Sequence, residues 1–126
     1  VGVRKILQAL REKKGICFAA DQVPQRGLGE YLPLYNREAY STTLVQSLAA
    51  KTLAPVLYFH LNSNKENFLS ITIKQSSSDI YDKSKHLQLL NKDIENMINI
   101  RPIDYAWEYK RFKRSKYPHK DPYKTI

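Results

Sequence analysis

The expected architecture follows from one segment, Ile16-Cys17-Phe18-Ala19-Ala20-Asp21, in which five apolar residues end abruptly at a carboxylate. Five apolar residues after a glycine are short for a helix and suit a strand buried on both faces. A second nearly continuous apolar run, residues 55–61, predicts another strand of this kind. Because a predicted helix separates these two strands, they imply a parallel, right-handed crossover.

Hydrophobic periodicity outside these two strands predicts the remaining elements. Apolar stripes predict helices over residues 3–10, from Thr43 onward, over residues 87–98 and after Pro102, and short strands are predicted over residues 31–35 and 68–73. Thr43 and Gln46 have the spacing of a capping box at the start of the second helix. The sequence therefore predicts an α/β fold with a mixed, mostly parallel sheet flanked by helices.

Composition limits the class of protein. The chain has 126 residues, a 42% hydrophobic share, a net charge of +9 and one cysteine, Cys17. This length suits a single domain, and the hydrophobic share excludes a highly charged disordered chain. A lone cysteine forms neither an internal disulfide nor a cysteine-rich zinc site. No apolar stretch approaches the 18 residues typical of a spanning helix.

The first candidate site lies at the end of the first predicted strand. Ligands of α/β sheets bind beyond the carboxyl ends of the strands. Asp21 and Gln22 occupy that position, and a glycine-containing loop with Arg26 follows them. Two interpretations of Asp21 stay open: it orients a base or a basic side chain such as Arg26, or it accepts hydrogen bonds from loop amides.

Motifs of common enzymes are missing from the sequence. The three histidines, His60, His86 and His119, lie beside no other histidine or cysteine at ligand spacing, so no metal site is expected. His60 falls inside an apolar strand, where a hydrogen-bonded core histidine is the favoured interpretation. There is no nucleophile elbow, phosphate loop or dinucleotide fingerprint, and no cofactor is expected.

The C-terminal region concentrates positive charge. Residues 108–126 contain seven basic and two acidic residues, with aromatic residues between them at Tyr109, Phe112, Tyr117 and Tyr123. Such a segment suits a phosphate-bearing ligand, an anionic membrane surface or nucleic acid. The alternative is a solvated, partly disordered terminus. We divide the chain into a main portion, residues 1–113, and a basic tail, residues 114–126.

Several segments, in order, resemble the bacterial lipid A biosynthesis acyltransferases, the lauroyl and myristoyl transferases. The sharpest is Pro102-Ile103-Asp104-Tyr105-Ala106-Trp107-Glu108-Tyr109-Lys110-Arg111-Phe112-Lys113, which is similar to the family's Pro-Glu-Gln-Tyr-x-Trp-x-His-Arg-Arg-Phe-Lys ending. Supporting matches are residues 9–15 followed by Asp21-Gln22, the segment Tyr31-Leu32-Pro33-Leu34-Tyr35, the run Ser41-Thr42-Thr43, and Ala54-Pro55-Val56. Departures include Asn36 for the family's glycine, Tyr109 for its histidine and Lys110 for its first arginine.

This resemblance implies the carboxyl-terminal part of a glycerolipid acyltransferase-like fold. The family's catalytic His-x4-Asp motif lies upstream of the matched segment. After four intervening residues, the three histidines of this chain are followed by Lys65, Asn91 and Lys124. The chain begins with Val1, which agrees with a piece of a longer protein. We therefore expect an O-acyltransferase fragment that is inactive alone.

The resemblance also implies substrates and partners. A fatty acyl chain would move from acyl carrier protein to a hydroxyl of a lipid A precursor or related glycolipid. The acidic carrier protein, the phosphorylated acceptor and an anionic membrane surface would all suit a net charge of +9. Asp21, Gln22 and Arg26 would line the substrate site, and Lys110 and Arg111 would bind phosphate or brace the C-terminal helix. The expected location is the cytoplasmic face of the bacterial inner membrane.

Two alternatives remain. The first is a small basic nucleic-acid-binding domain, suggested by the charge and the aromatic tail, although the resemblance gives no reason to expect nucleic acid. The second is a non-catalytic member of the acyltransferase fold. An upstream His-x4-Asp or His-x4-Glu would favour the enzyme over the second alternative.

Overall fold

The structure is a computed structural model that describes residues 2–116 and 118–124. Within these residues, three α-helices and four strands follow one another as α1 (Val3–Arg11), β1 (Gly29–Leu34), β2 (Arg37–Thr42), α2 (Leu44–Thr52), β3 (Leu57–Ser63), β4 (Leu69–Gln75) and α3 (His86–Ile100). Two short 3-10 turns, Ser78–Tyr81 and Pro102–Asp104, flank α3.

The strands form two separate antiparallel hairpins, β1–β2 and β3–β4. The expected α/β fold with a mostly parallel sheet is therefore wrong. The reason lies in residues 16–20, which form no strand and whose backbone N–H groups donate no hydrogen bond within the described chain. Because that first strand is missing, no parallel crossover to β3 can form.

The β1–β2 hairpin turns through Tyr35 and Asn36, whose φ angles of 49° and 58° are both left-handed. A two-residue turn of this kind matches the twist of the paired strands. Tyr35 is a costly residue for that conformation, and α3 holds it in place. The Tyr35 amide donates to Glu95 Oε1 at 2.8 Å, and its hydroxyl donates to Asn99 Oδ1 at 2.9 Å.

Two helix starts predicted from the sequence, at Thr43 and after Pro102, differ in the structure. Residues 41–42 belong to β2, and Thr43 precedes α2 without a capping side-chain bond, so the predicted capping box does not form. Thr42 Oγ1 instead accepts a hydrogen bond from the Leu44 amide at 3.2 Å. After Pro102 only the three-residue turn Pro102–Asp104 forms instead of a helix.

The core lies between α3 and the β1–β2 hairpin. Leu90, Ile94 and Ile98 recur at helical spacing on α3 and are buried against Leu34 and Ala39. Partly buried side chains extend this cluster toward residue 20, α2, β3 and the C-terminal segment. The α3 stripe predicted from the sequence is thus the centre of the molecule.

The β3–β4 hairpin carries a broad exposed apolar face. Alternate side chains of the two strands lie on it, each more than half exposed: Leu57, Phe59, Leu61, Leu69, Ile71 and Ile73. Cross-strand pairs such as Phe59 with Ile73 bring these side chains together on that face. The opposite face of β3 points into the body of the protein, so the hairpin forms one wall of the interior.

Replacing Gly29 with alanine is expected to lower the free energy of unfolding by about 2 kcal/mol, the cost typical of overpacking. A Cβ at this position would overlap the Ser41 carbonyl oxygen and lie 2.7 Å from Pro24 Cγ. Gly15→Ala is the matched control, because a Cβ there meets no atom within 4 Å. Urea unfolding of both variants tests this, and equal stabilities would contradict the close packing at Gly29.

Candidate active-site cavity

An open cavity of about 640 Å³ lies among α2, α3, β3 and residues 16–21. Its walls are mainly apolar, and α2 contributes Val45, Leu48 and Ala49 to them. The α3 wall contains Leu90, Ile94, Met97 and Ile98, and consecutive residues from Ala54 to Asn62 form the β3 wall. A cavity of this size and lining suits an elongated apolar ligand.

A polar cluster joins the end of β3 to the turn after α3. The Ser63 hydroxyl and amide donate to Asp104 Oδ1 and Oδ2, both at 2.8 Å. Arg101 Nε lies 3.0 Å from Asp104 Oδ2 and 3.3 Å from Ser63 Oγ. The Ser63 hydrogen bond, followed by the nearby Arg101 charge, lowers the pKa of Asp104, and this carboxylate stays ionised at neutral pH.

Three buried polar atoms beside the cavity have no hydrogen-bond partner within the described chain: His60 Nε2, Asn62 Oδ1 and the Tyr105 hydroxyl. Burial, together with the Asp21 carboxylate, raises the pKa of Tyr105 to about 12, so its phenol remains a hydrogen-bond donor at neutral pH. The expected hydrogen-bonded core histidine is not found at His60. Buried unpaired polar atoms are rare in folded proteins, and three of the eight found in the described residues belong to the cavity lining.

Of the three candidates around the first apolar run, only Asp21 lines the cavity. Gln22 and Arg26 are exposed and lie outside its lining. Asp21 is close enough to Tyr105 and Arg111 to influence the pKa of both side chains. The structure thus places Asp21 at the cavity and leaves Gln22 and Arg26 on the surrounding surface.

Lys110 and Arg111 have different surroundings. Lys110 is exposed, and its Nζ lies 5.9 Å from the centre of the Tyr123 ring. Arg111 is only 4% exposed and donates to the Tyr40 carbonyl at 2.9 Å and to Ser41 Oγ at 2.7 Å. Burial lowers the pKa of Arg111 from its usual value. Arg111 therefore braces the C-terminal segment against β2.

The basic C-terminal segment is folded against the body of the protein. The Tyr109 hydroxyl accepts a hydrogen bond from the Val23 amide at 2.8 Å, and Arg114 donates to the Pro24 carbonyl. Cations from the chain itself lie over five aromatic rings: Tyr31, Tyr40, Tyr109, Phe112 and Tyr123. Tyr117, also singled out for stacking, lies outside the described residues, as do Thr125 and Ile126 of the predicted tail.

The cluster of Ser63, Arg101 and Asp104 was not predicted from the sequence. In the sequence, Asp104 stood out only as one position of the C-terminal motif, and Arg101 did not stand out. The spacing of Arg101 and Asp104 allows an ion pair across a helical turn. Nothing in the sequence connects this pair to Ser63, which lies 38 residues before Arg101.

Within residues 2–116 and 118–124 no helix is long and apolar enough to cross a membrane. Over the same residues, no group of three histidine, cysteine, aspartate or glutamate side chains is arranged to hold a metal ion.

Comparison with known families gives the class of protein. Residues 1–114 match the family of bacterial lipid A biosynthesis acyltransferases. Because the match covers most of the 126 residues, the chain belongs to this family, as the resemblance of its C-terminal motif indicated. The family identifies an acyltransferase domain. None of the curated proteins compared with the chain matches it.

Proposed function

We propose that this chain supplies the acyl-chain cavity of an acyltransferase that moves a fatty acyl chain from acyl carrier protein to a hydroxyl of a lipid A precursor or related glycolipid. The observation that carries this proposal is the apolar cavity between β3 and the buried stripe of α3. Burial of an alkyl chain against such walls contributes roughly 0.8 kcal/mol per methylene group. In this chain, the cavity is therefore a suitable binding site for the fatty acyl group of the substrate.

The proton acceptor of the reaction is supplied by another part of the polypeptide. Acyl transfer to a hydroxyl needs a base that removes the hydroxyl proton as the oxygen attacks the thioester carbonyl. His60, His86 and His119 all lack an acidic residue at the His-x4-Asp spacing. This chain provides cavity walls and cations, and the histidine of the motif belongs to an upstream segment.

Exposed lysines suit the proposed partners. Five of them lie along the C-terminal segment: Lys110, Lys113, Lys116, Lys120 and Lys124. Acyl carrier protein is acidic, the acceptor is phosphorylated, and the cytoplasmic face of the inner membrane is anionic, so each would be attracted to this surface. The attraction is electrostatic and should weaken with added salt.

The nucleic-acid alternative has less support. Base stacking needs free aromatic faces, and cations of the chain itself already lie over Tyr109, Phe112 and Tyr123. Titration with single-stranded DNA at low and moderate salt distinguishes the alternatives. Strong binding with a steep salt dependence would favour a nucleic-acid-binding domain.

The 126-residue chain alone is expected to show no transfer from acyl carrier protein to a lipid A precursor. The reason is the missing base, since proton transfer by a positioned side chain commonly contributes about 10²- to 10⁴-fold in rate. A radiolabelled acyl-transfer assay measures this, with a longer polypeptide containing the His-x4-Asp motif as the positive control. Turnover by the 126-residue chain would show that the base lies within it.

A further inference from the structure

One wall of the cavity changes from apolar to cationic along α3. Leu90, Ile94, Ile98 and Arg101 all line the cavity and follow one another at intervals of four, four and three residues. Eleven residue steps separate Leu90 from Arg101, which corresponds to about 16 Å at the rise of a helix. Its apolar part ends at Arg101, directly after the last residue of α3.

The β3 wall of the cavity carries polar side chains along its inward-facing side. Along β3, Tyr58, His60 and Asn62 line the cavity, and Ser63 is the last residue of the strand. The hydrogen bonds from Ser63 to Asp104 hold this end of β3 beside the turn that follows α3. Ser63, at the end of β3, and Arg101, directly after α3, therefore meet at one end of the cavity.

Arg101 is fixed there with part of its guanidinium unused. Its Nε lies against Asp104 and Ser63, whereas Nη1 and Nη2 have no hydrogen-bond partner in the described part of the chain. The side chain is 36% exposed and contributes to the cavity lining. Two parallel N–H groups at fixed orientation match the two oxygens of a carboxylate.

Asp104 partly compensates the charge of Arg101, so net charge alone does not attract an anion to this end. Directional hydrogen bonds must hold it, and further donors are present. The Tyr105 hydroxyl and His60 Nε2 are buried beside the same cavity with no partner among the described residues, and both can donate. A ligand oxygen would satisfy polar atoms that are otherwise left unpaired.

We propose that Arg101 binds the carboxylate of a free long-chain fatty acid whose alkyl chain lies along the apolar stripe of α3. This inference rests on the proposed acyl-chain cavity and adds a ligand to it. A free fatty acid bound in this way occupies the space of the acyl group, so it competes with the acyl donor. The group that distinguishes this ligand from the donor is its ionised carboxylate, since a thioester carbonyl offers only one oxygen.

Calorimetric titration with decanoate and decanol tests the proposal, because the two molecules share an alkyl chain and differ in the head group. Decanoate is expected to bind the 126-residue chain about tenfold more tightly than decanol, as expected for a charge-assisted hydrogen bond. Arg101→Gln should remove that difference and leave decanol binding unchanged. Arg4→Gln is the control, because Arg4 is an exposed residue of α1 outside the cavity lining.

The possible results separate this inference from the proposed function. Equal binding of decanoate and decanol would overturn the carboxylate site and leave the acyl-chain cavity in place. Binding of neither molecule would overturn both. The ¹⁵N signal of the Arg101 guanidinium, followed in the unmodified chain, does not depend on how the variant folds. It should shift with decanoate and not with decanol, and a signal unmoved by decanoate would overturn the proposal.

Discussion

Replacing Arg111 with alanine is expected to lower the free energy of unfolding by about 3 kcal/mol. The guanidinium is buried and holds the Tyr40 carbonyl and the Ser41 hydroxyl. Its loss leaves the buried Tyr40 acceptor unpaired and detaches the C-terminal segment from β2. Asn91 Nδ2 also contacts Ser41 Oγ, at 3.0 Å, so the change extends to α3. Urea unfolding followed by circular dichroism measures the effect.

Lys120→Ala is the matched control for Arg111→Ala. The Lys120 side chain is exposed, and its one contact to Arg37 uses the backbone carbonyl, which alanine retains. We expect its stability to change by less than about 0.5 kcal/mol. In the longer polypeptide that carries the proposed base, Arg111→Ala should also lower acyl transfer more than Lys120→Ala. Equal effects on both measurements would indicate a diffuse electrostatic tail instead of a defined brace.

Leu90→Ala is expected to lower the free energy of unfolding by about 3 kcal/mol and to lengthen the preferred ligand. Leu90 is only 1% exposed in the core and also lines the cavity, at the far end of the α3 stripe from Arg101. Truncation removes packing from the core and adds space for further methylene groups. Binding of a series of n-alkanols should therefore have its optimum at a longer chain than in the unmodified protein.

Leu28→Ala is the control for Leu90→Ala. Leu28 is 56% exposed and lies outside the cavity lining, so both stability and chain-length preference should stay unchanged. If Leu90→Ala lowers stability and leaves the optimum chain length unmoved, alkyl chains do not reach this part of the cavity.

Sequence periodicity predicted local elements well because they depend on local patterns. Five elements occur close to the expected positions: the helices α1, α2 and α3, and the strands β3 and β4. The predicted arrangement of the strands was wrong, because it required residues 16–20 to form a strand and pair with another one. An apolar run alone does not determine which strand, if any, pairs with it. The turn at Tyr35 and Asn36 could not be predicted from local sequence either, because it depends on a hydrogen bond to Glu95 of α3.

The site was predicted in part. The C-terminal motif gave the family. Asp21 lines the cavity, but the strand whose end was expected to place it there does not form. Arg101 and Ser63 were missed because their contact joins α3 to β3 across the fold. Whether Asp21, Gln22, Arg26 and Lys110 contact substrate stays a prediction. The place of Arg111 in a buried hydrogen-bond network favours the bracing role expected as its alternative.

A fatty acyl chain is proposed to occupy the cavity between β3 and α3. Two-dimensional ¹⁵N NMR of the 126-residue chain, titrated with the short thioester S-decanoyl-N-acetylcysteamine, measures this binding residue by residue. We predict that the amide signals of Tyr58, His60, Ile94 and Ile98 shift with a common dissociation constant. Signals that move only in the C-terminal segment, or nowhere, would contradict the claim.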